Sequence, residues 1–223
     1  MKKARRLGSG FPLSRTIRQT GALLFGAFAA VEYHRRSTEA SQTFSFWCVS
    51  LHFIYFQLPN KSRALAWFHP VSYIASLVAP VQYALLLYAK PRLENDRMEM
   101  WEVSLTTILV RAFVLFLAPL LFHALDLSSN HSSLANSYSL KPTKPMYLWS
   151  LLSFPFFQGV FELFYPLPTS RGEELVLALD TLPPDFTRLL RYCSWGATLF
   201  GFALLYLSVL RHAYRHPLVA DSR

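Results

Sequence analysis

VSLTTILVRAFVLFLAPLLFHAL, residues 103–125, carries a single charge, Arg111, in a run long enough to cross a bilayer, which takes about 20 mainly apolar residues. Three further runs meet the same length: Ala64 to Ala89, Met146 to Tyr165 and Tyr192 to Leu210. Their Ser, Thr and Pro content is tolerable in a membrane helix, where neighbouring helices re-satisfy freed backbone groups. Phe44 to Leu58, closed by Pro59, is shorter and dense in aromatics, and a few preceding polar residues complete it at the interface. Gly21 to Val31 is the weakest; a positive leader followed by a brief apolar stretch and Ala29-Ala30 also describes a secretory signal peptide. Against cleavage, the basic leader is long, and Ile17 and Tyr33 extend the helix at both ends.

The expected fold is therefore all-α: a polytopic membrane bundle of about six transmembrane helices, near 17–33, 44–59, 64–89, 103–125, 146–165 and 190–210. A basic leader (1–16) precedes this 17–212 domain, and a short tail (213–223) follows it. Composition points the same way. Of 223 residues, 52% are hydrophobic and only 16% charged, and many of the 19 Phe, 11 Tyr and 5 Trp flank the apolar runs, where amphipathic rings rest at headgroup level. The net charge of +9 does not indicate nucleic acid, because the basic residues lie between apolar runs rather than along one soluble surface.

Orientation follows from basic residues on alternate sides. With the N-terminus inside, the inner face receives Lys2, Lys3, Arg5, Arg6, Arg15, Arg18, Lys61, Arg63, Lys141, Lys144, Arg211, Arg215 and Arg223, 13 in all. The outer face receives Arg35, Arg36, Lys90, Arg92, Arg97, Arg171, Arg188 and Arg191, or 8. Both termini are thus expected in the cytoplasm. The two longest connections are the Ser- and Asn-rich stretch Asp126 to Pro145 and the stretch Pro166 to Arg191, within which Glu173 to Leu182 reads as a short amphipathic helix ended by Pro183-Pro184.

Charges are costly in hydrocarbon, so polar residues inside the spans are the first candidates for chemistry. Arg111 lies about 12 Å into its helix, and it needs a partner or a wet cavity. Glu162, near the same end of the fifth helix, is the expected partner; the pair either sets helix register or leaves Arg111 to bind a lipid carboxylate or phosphate. Ser45 opens the second helix, with His34 and Glu32 at the nearby end of the first as candidate base and orienter; alternatively Ser45 is only an N-cap. His52 follows Ser45 by about 10 Å of helix, too far for a direct bond. His69 and His123 lie near the inner ends of their helices beside Pro70 and Pro119, where they are expected to bind freed carbonyls or face the interface. No HExxH, GxSxG, Walker loop or spaced Cys/His set occurs, and Cys48 and Cys193 form no framework, so no metal and no cofactor is indicated.

Several segments in order resemble the androgen-induced-gene family, six-helix membrane proteins that hydrolyse fatty acid esters of hydroxy fatty acids. They are QTFSFWCVSLHFIYF (42–56), the APV at 79–81 followed by an apolar stretch and Tyr88, YLWSLLSFPFFQGVFELFYPL (147–167) and FALLYLSVLRHAY (202–214). The resemblance places Ser45 where the family has its threonine nucleophile. It implies a lipid ester hydrolase of the endoplasmic reticulum or another endomembrane, with membrane lipids and a hydrophobic acyl substrate as partners. The family's histidine falls in the fourth helix before a proline, where this chain reads RAFVLFLAP (111–119) and has none. A non-catalytic membrane scaffold or assembly factor is therefore the other expectation, and the oligomeric state is left open.

Overall fold

A computed structural model describes residues 12–36, 44–59, 62–89, 104–139, 144–164 and 184–211. Among them there is no strand, and six helices account for nearly every residue. They are α1 (Pro12–Arg36), α2 (Phe44–Gln57), α3 (Arg63–Ala89), α4 (Leu105–Ala112, Phe113–Leu117 and Ala118–Ser139 in succession), α5 (Lys144–Phe164) and α6 (Pro184–Leu205 continued by Tyr206–Leu210). Three of these are long and apolar enough to cross a membrane: Ala64–Leu85 in α3, Leu105–His131 in α4 and Tyr192–Leu210 in α6. In α5 the apolar stretch is the shorter Leu148–Val160.

The helix ends follow local chemistry. Ser104 caps α4, its Oγ accepting from the Thr107 amide at 3.3 Å. Further along, Pro119 has no N–H, so the carbonyl of Leu115 loses its usual donor. The chain answers with a π-helical turn over Phe113–Leu117, in which the Ala118 amide donates to Phe113 O. RAFVLFLAP, the stretch without a histidine, is this turn. α4 then runs past Leu125 to Ser139, so residues 126–139 are helix and not the connection their Ser and Asn content suggests. The helix bends at Asn130 (φ −127°, ψ 15°), and Ser128 and Ser129 return their hydroxyls to the carbonyls of Ala124 and Leu125.

α3 is the hub. It packs against α2, α4, α5 and α6, and 67% of its apolar window is buried against 28% for α4 and 33% for α6. The most extensive single contact is α1 on α2. Small residues set these distances: a Cβ on Gly26 would meet the Phe53 ring at 2.8 Å, and one on Gly201 would meet Leu77 Cδ1 at 3.0 Å. The core is dominated by aromatic and aliphatic side chains such as Phe25, Tyr55, Ile74, Leu134 and Phe154. Among them, toward the end from which α1 and α3 start, lies a set of buried polar groups.

Candidate functional site

Arg18 belongs to this interior and not to the headgroup-facing leader. α1 begins at Pro12, which places Arg18 within its second turn, only 4% exposed. Its Nη1 donates to Asp126 Oδ2 at 2.9 Å, and its Nη2 donates to Tyr55 O at 2.7 Å and Leu58 O at 2.8 Å. One guanidinium thus compensates a buried carboxylate on α4 and the open carbonyl end of α2, the position where a cation complements the helix dipole. Tyr55 donates its hydroxyl to the same Asp126 Oδ2 at 2.6 Å, and the guanidinium lies 4.9 Å over the Tyr55 ring.

One turn back on α4 and α2 lie His123 and His52. Ser72, on α3, stands between them: its Oγ is 2.9 Å from His52 Nδ1 and 2.9 Å from His123 Nε2, while the two ring nitrogens are 3.4 Å apart. A hydroxyl has one proton, so Ser72 donates to one imidazole and accepts from the other, whose facing nitrogen must carry its hydrogen. All three residues are at most 1% exposed. His69, one turn before Ser72 on α3, has its Nδ1 2.9 Å from Tyr138 Oη on the far part of α4. His69 and His123 therefore bond hydroxyls from other helices, contrary to the expectation of backbone carbonyls or the interface. The reason is tertiary: α3 is the most buried of the three helices of spanning length, and the face that carries His69 and Ser72 is packed against neighbouring helices.

Two ring nitrogens in this layer, His52 Nε2 and His123 Nδ1, are buried without a hydrogen-bond partner among the described residues. Such orphans are uncommon in a packed interior and call for a ligand, a water or a functional role. Among the described residues no group of three or more His, Cys, Asp or Glu could hold a metal ion.

The residues singled out from sequence lie elsewhere. Arg111 is half-buried, and its Nη2 lies 3.2 Å from Glu32 Oε2 on α1. The partner seen is thus Glu32; the Glu162 side chain lies outside those described. Ser45 is in the first turn of α2, its side chain likewise outside those described, and His34 is exposed near the end of α1. Of the polar residues read from sequence, the structure brings together His52, His69 and His123. It adds Arg18, Tyr55, Ser72, Asp126 and Tyr138. Depth is the signal that points to the histidines and Ser72: counted from helix ends in alternating directions, all four fall in one layer.

Beside this layer, α2, α3 and α5 enclose a half-open groove of about 420 Å³, lined by aromatic rings such as Trp47, Phe68 and Trp149. Leu51 and Val71 in its wall are the chain neighbours of His52 and Ser72. Compared with models of known families, with curated proteins and with solved structures, the chain finds no match.

Proposed function

We propose that this protein is a membrane-embedded hydrolase of acyl esters in which Ser72 is the nucleophile and one of the flanking imidazoles, His123 or His52, is its base. The observation that carries this reading is the Ser72 hydroxyl 2.9 Å from both ring nitrogens, the contact a serine needs to lose its proton as it attacks. In the first step Ser72 Oγ bonds to the ester carbonyl carbon and its proton passes to the accepting imidazole. The alcohol then leaves with that proton, and water, deprotonated by the same ring, releases the acid. The N–H of the second imidazole is the nearest donor to the charge that develops on the carbonyl oxygen. The unpartnered His52 Nε2 and His123 Nδ1 support a reacting centre, since a network that only joins helices has no use for open ring nitrogens.

The reading continues to a multipass protein of lipid metabolism in an endomembrane, with six spans and both termini cytoplasmic. The three helices of spanning length and the distribution of basic residues, 12 to 8 once the buried Arg18 is set aside from the 13, support it. Glycosylation-site mapping that finds the termini on opposite sides removes the six-span topology. A second reading, a scaffold whose polar layer fixes helix register, is favoured by one observation: Ser72 is 0% exposed and the centre is enclosed.

Purified protein in detergent separates the two. A long-chain p-nitrophenyl ester should be turned over, a fluorophosphonate should label Ser72, and Ser72→Ala should lower the rate by about 1000-fold, the order expected for loss of a covalent nucleophile. Ser45→Ala is the companion variant: if it abolishes turnover and Ser72→Ala does not, the nucleophile is the one implied by the family resemblance. Neither turnover nor labelling across several chain lengths establishes the scaffold.

A further inference from the structure

We infer that acyl-Ser72 hands its acyl group to an uncharged lipid alcohol drawn from the bilayer rather than to water, so that the centre works as a transacylase; the inference rests on the Ser72 reading. Each member of the centre has a buried neighbour one turn nearer the end from which α1 and α3 start: Tyr55 beyond His52, His69 before Ser72 and Asp126 beyond His123. These three form a tied floor. Arg18 bonds Asp126 and the carbonyls of Tyr55 and Leu58, Tyr55 donates to Asp126 at 2.6 Å, and His69 meets Tyr138 Oη at 2.9 Å. Arg18, Tyr55, His69, Asp126 and Tyr138 are all at most 4% exposed, so among the described residues this end is closed to water.

The other surroundings of the centre are apolar. Ser72 follows Ala64, the first residue of the apolar window of α3, by about 12 Å of helix. The rings of Phe25 and Phe56 lie 5.5 Å from His52 and 5.3 Å from His123. At the same depth is the half-open groove of α2, α3 and α5, which no charged side chain lines and which in the six-span topology opens to hydrocarbon. Water is scarce there, and uncharged lipids are at hand. An enclosed centre spares a reactive intermediate from hydrolysis, and acylation itself provides the place for an acceptor. It ends with an alcohol departing from beside the imidazole that gave it a proton; alcoholysis is that step run backwards with a different alcohol. The incoming hydroxyl gives its proton to the imidazole as its oxygen bonds to the acyl carbon, the bond to Ser72 Oγ breaks, and the proton returns to Ser72.

Full-length protein in phosphatidylcholine nanodiscs, given p-nitrophenyl palmitate and oleyl alcohol, tests the inference by product analysis. Oleyl palmitate should exceed free palmitic acid by about tenfold, and glycerol, a primary alcohol that stays in the water, should yield no ester. Ser72→Ala should lose both products. Palmitic acid as the main product while a fluorophosphonate still labels Ser72, or glyceryl palmitate formed as readily as oleyl palmitate, overturns the inference and leaves the Ser72 acyl-enzyme standing. Absence of both products and of labelling removes the Ser72 reading, and this inference with it.

Discussion

The four helices α1 to α4 and the pair α5 and α6 are joined to the bundle by different physics. Between α1, α2, α3 and α4 run buried bonds from side chain to side chain: Arg18 to Asp126, Tyr55 to Asp126, Ser72 to two histidines, His69 to Tyr138. Among the described residues α5 and α6 rest on α3 with many apolar contacts and with polar ties that include Gln82 Nε2 donating to Ser194 Oγ and Trp149 Nε1 donating to Trp67 O. Lipid is as apolar as leucine, so close packing and hydrogen bonds must supply what hydrophobic burial supplies in water. The first half is specified by polar partners and is costly to break; the second is specified by shape and is tolerant.

The largest expected effect is therefore at Arg18. Arg18→Met leaves the Asp126 carboxyl buried without its cation and strips the donor from the Tyr55 and Leu58 carbonyls, and loss of one partner of a buried pair costs about 3–5 kcal/mol. Thermal unfolding in detergent should show a large drop for the single variant and a substantial recovery for Arg18→Met with Asp126→Leu, which removes both charges. An Arg18→Met variant as stable as the parent would place the two halves on the same footing.

Apolar runs pointed to the six helices, although only those in α3, α4 and α6 reach the length of about 20 residues that is a constraint on the segment alone. The polar layer was not readable in that way. Arg18 counts as leader charge until the helix is known to start at Pro12, and Arg111, deeper in its run, looks the costlier residue although it meets Glu32 at a half-buried position. Ser72 sits in no motif; its depth puts it level with the histidines, and it matters because α2 and α4 bring an imidazole to each side of it. Helix depth is written in the sequence, whereas the facing of one helix toward another is decided by packing around α3.

An effect of intermediate size should come from shape alone within the first half. In Gly26→Ala the new Cβ would lie 2.8 Å from the Phe53 ring, so α1 and α2 must separate or the ring must turn, and overpacking of this kind costs about 1–3 kcal/mol. Gly201→Ala, whose Cβ would meet the end of a leucine side chain at 3.0 Å, should be milder. Thermal shifts in the reverse order would mean that α6 on α3 is the tighter contact, against the division drawn here. Gln82→Leu removes the bond to Ser194 across α3 and α6 and should cost about 1 kcal/mol, that of an ordinary hydrogen bond.

The smallest effect, and one of opposite sign, is expected at Gly159 on α5 and Gly196 on α6, where a Cβ would meet nothing within 4 Å. Glycine inside a helix is less favourable than alanine by roughly 0.5–1 kcal/mol, because it leaves the unfolded chain more freedom and packs nothing. With open space around both positions, alanine adds a methyl group without a clash. Gly159→Ala and Gly196→Ala should therefore leave the melting temperature unchanged or slightly raised. Small residues on lipid-facing helix surfaces also permit close approach of another helix, and a second copy seated on α5 or α6 would make these glycines contacts. Size-exclusion chromatography of the two variants beside the thermal scan decides the matter: a loss of stability accompanied by a smaller particle would show α5 and α6 to be an association surface, and unchanged size with equal or higher stability would leave them facing lipid.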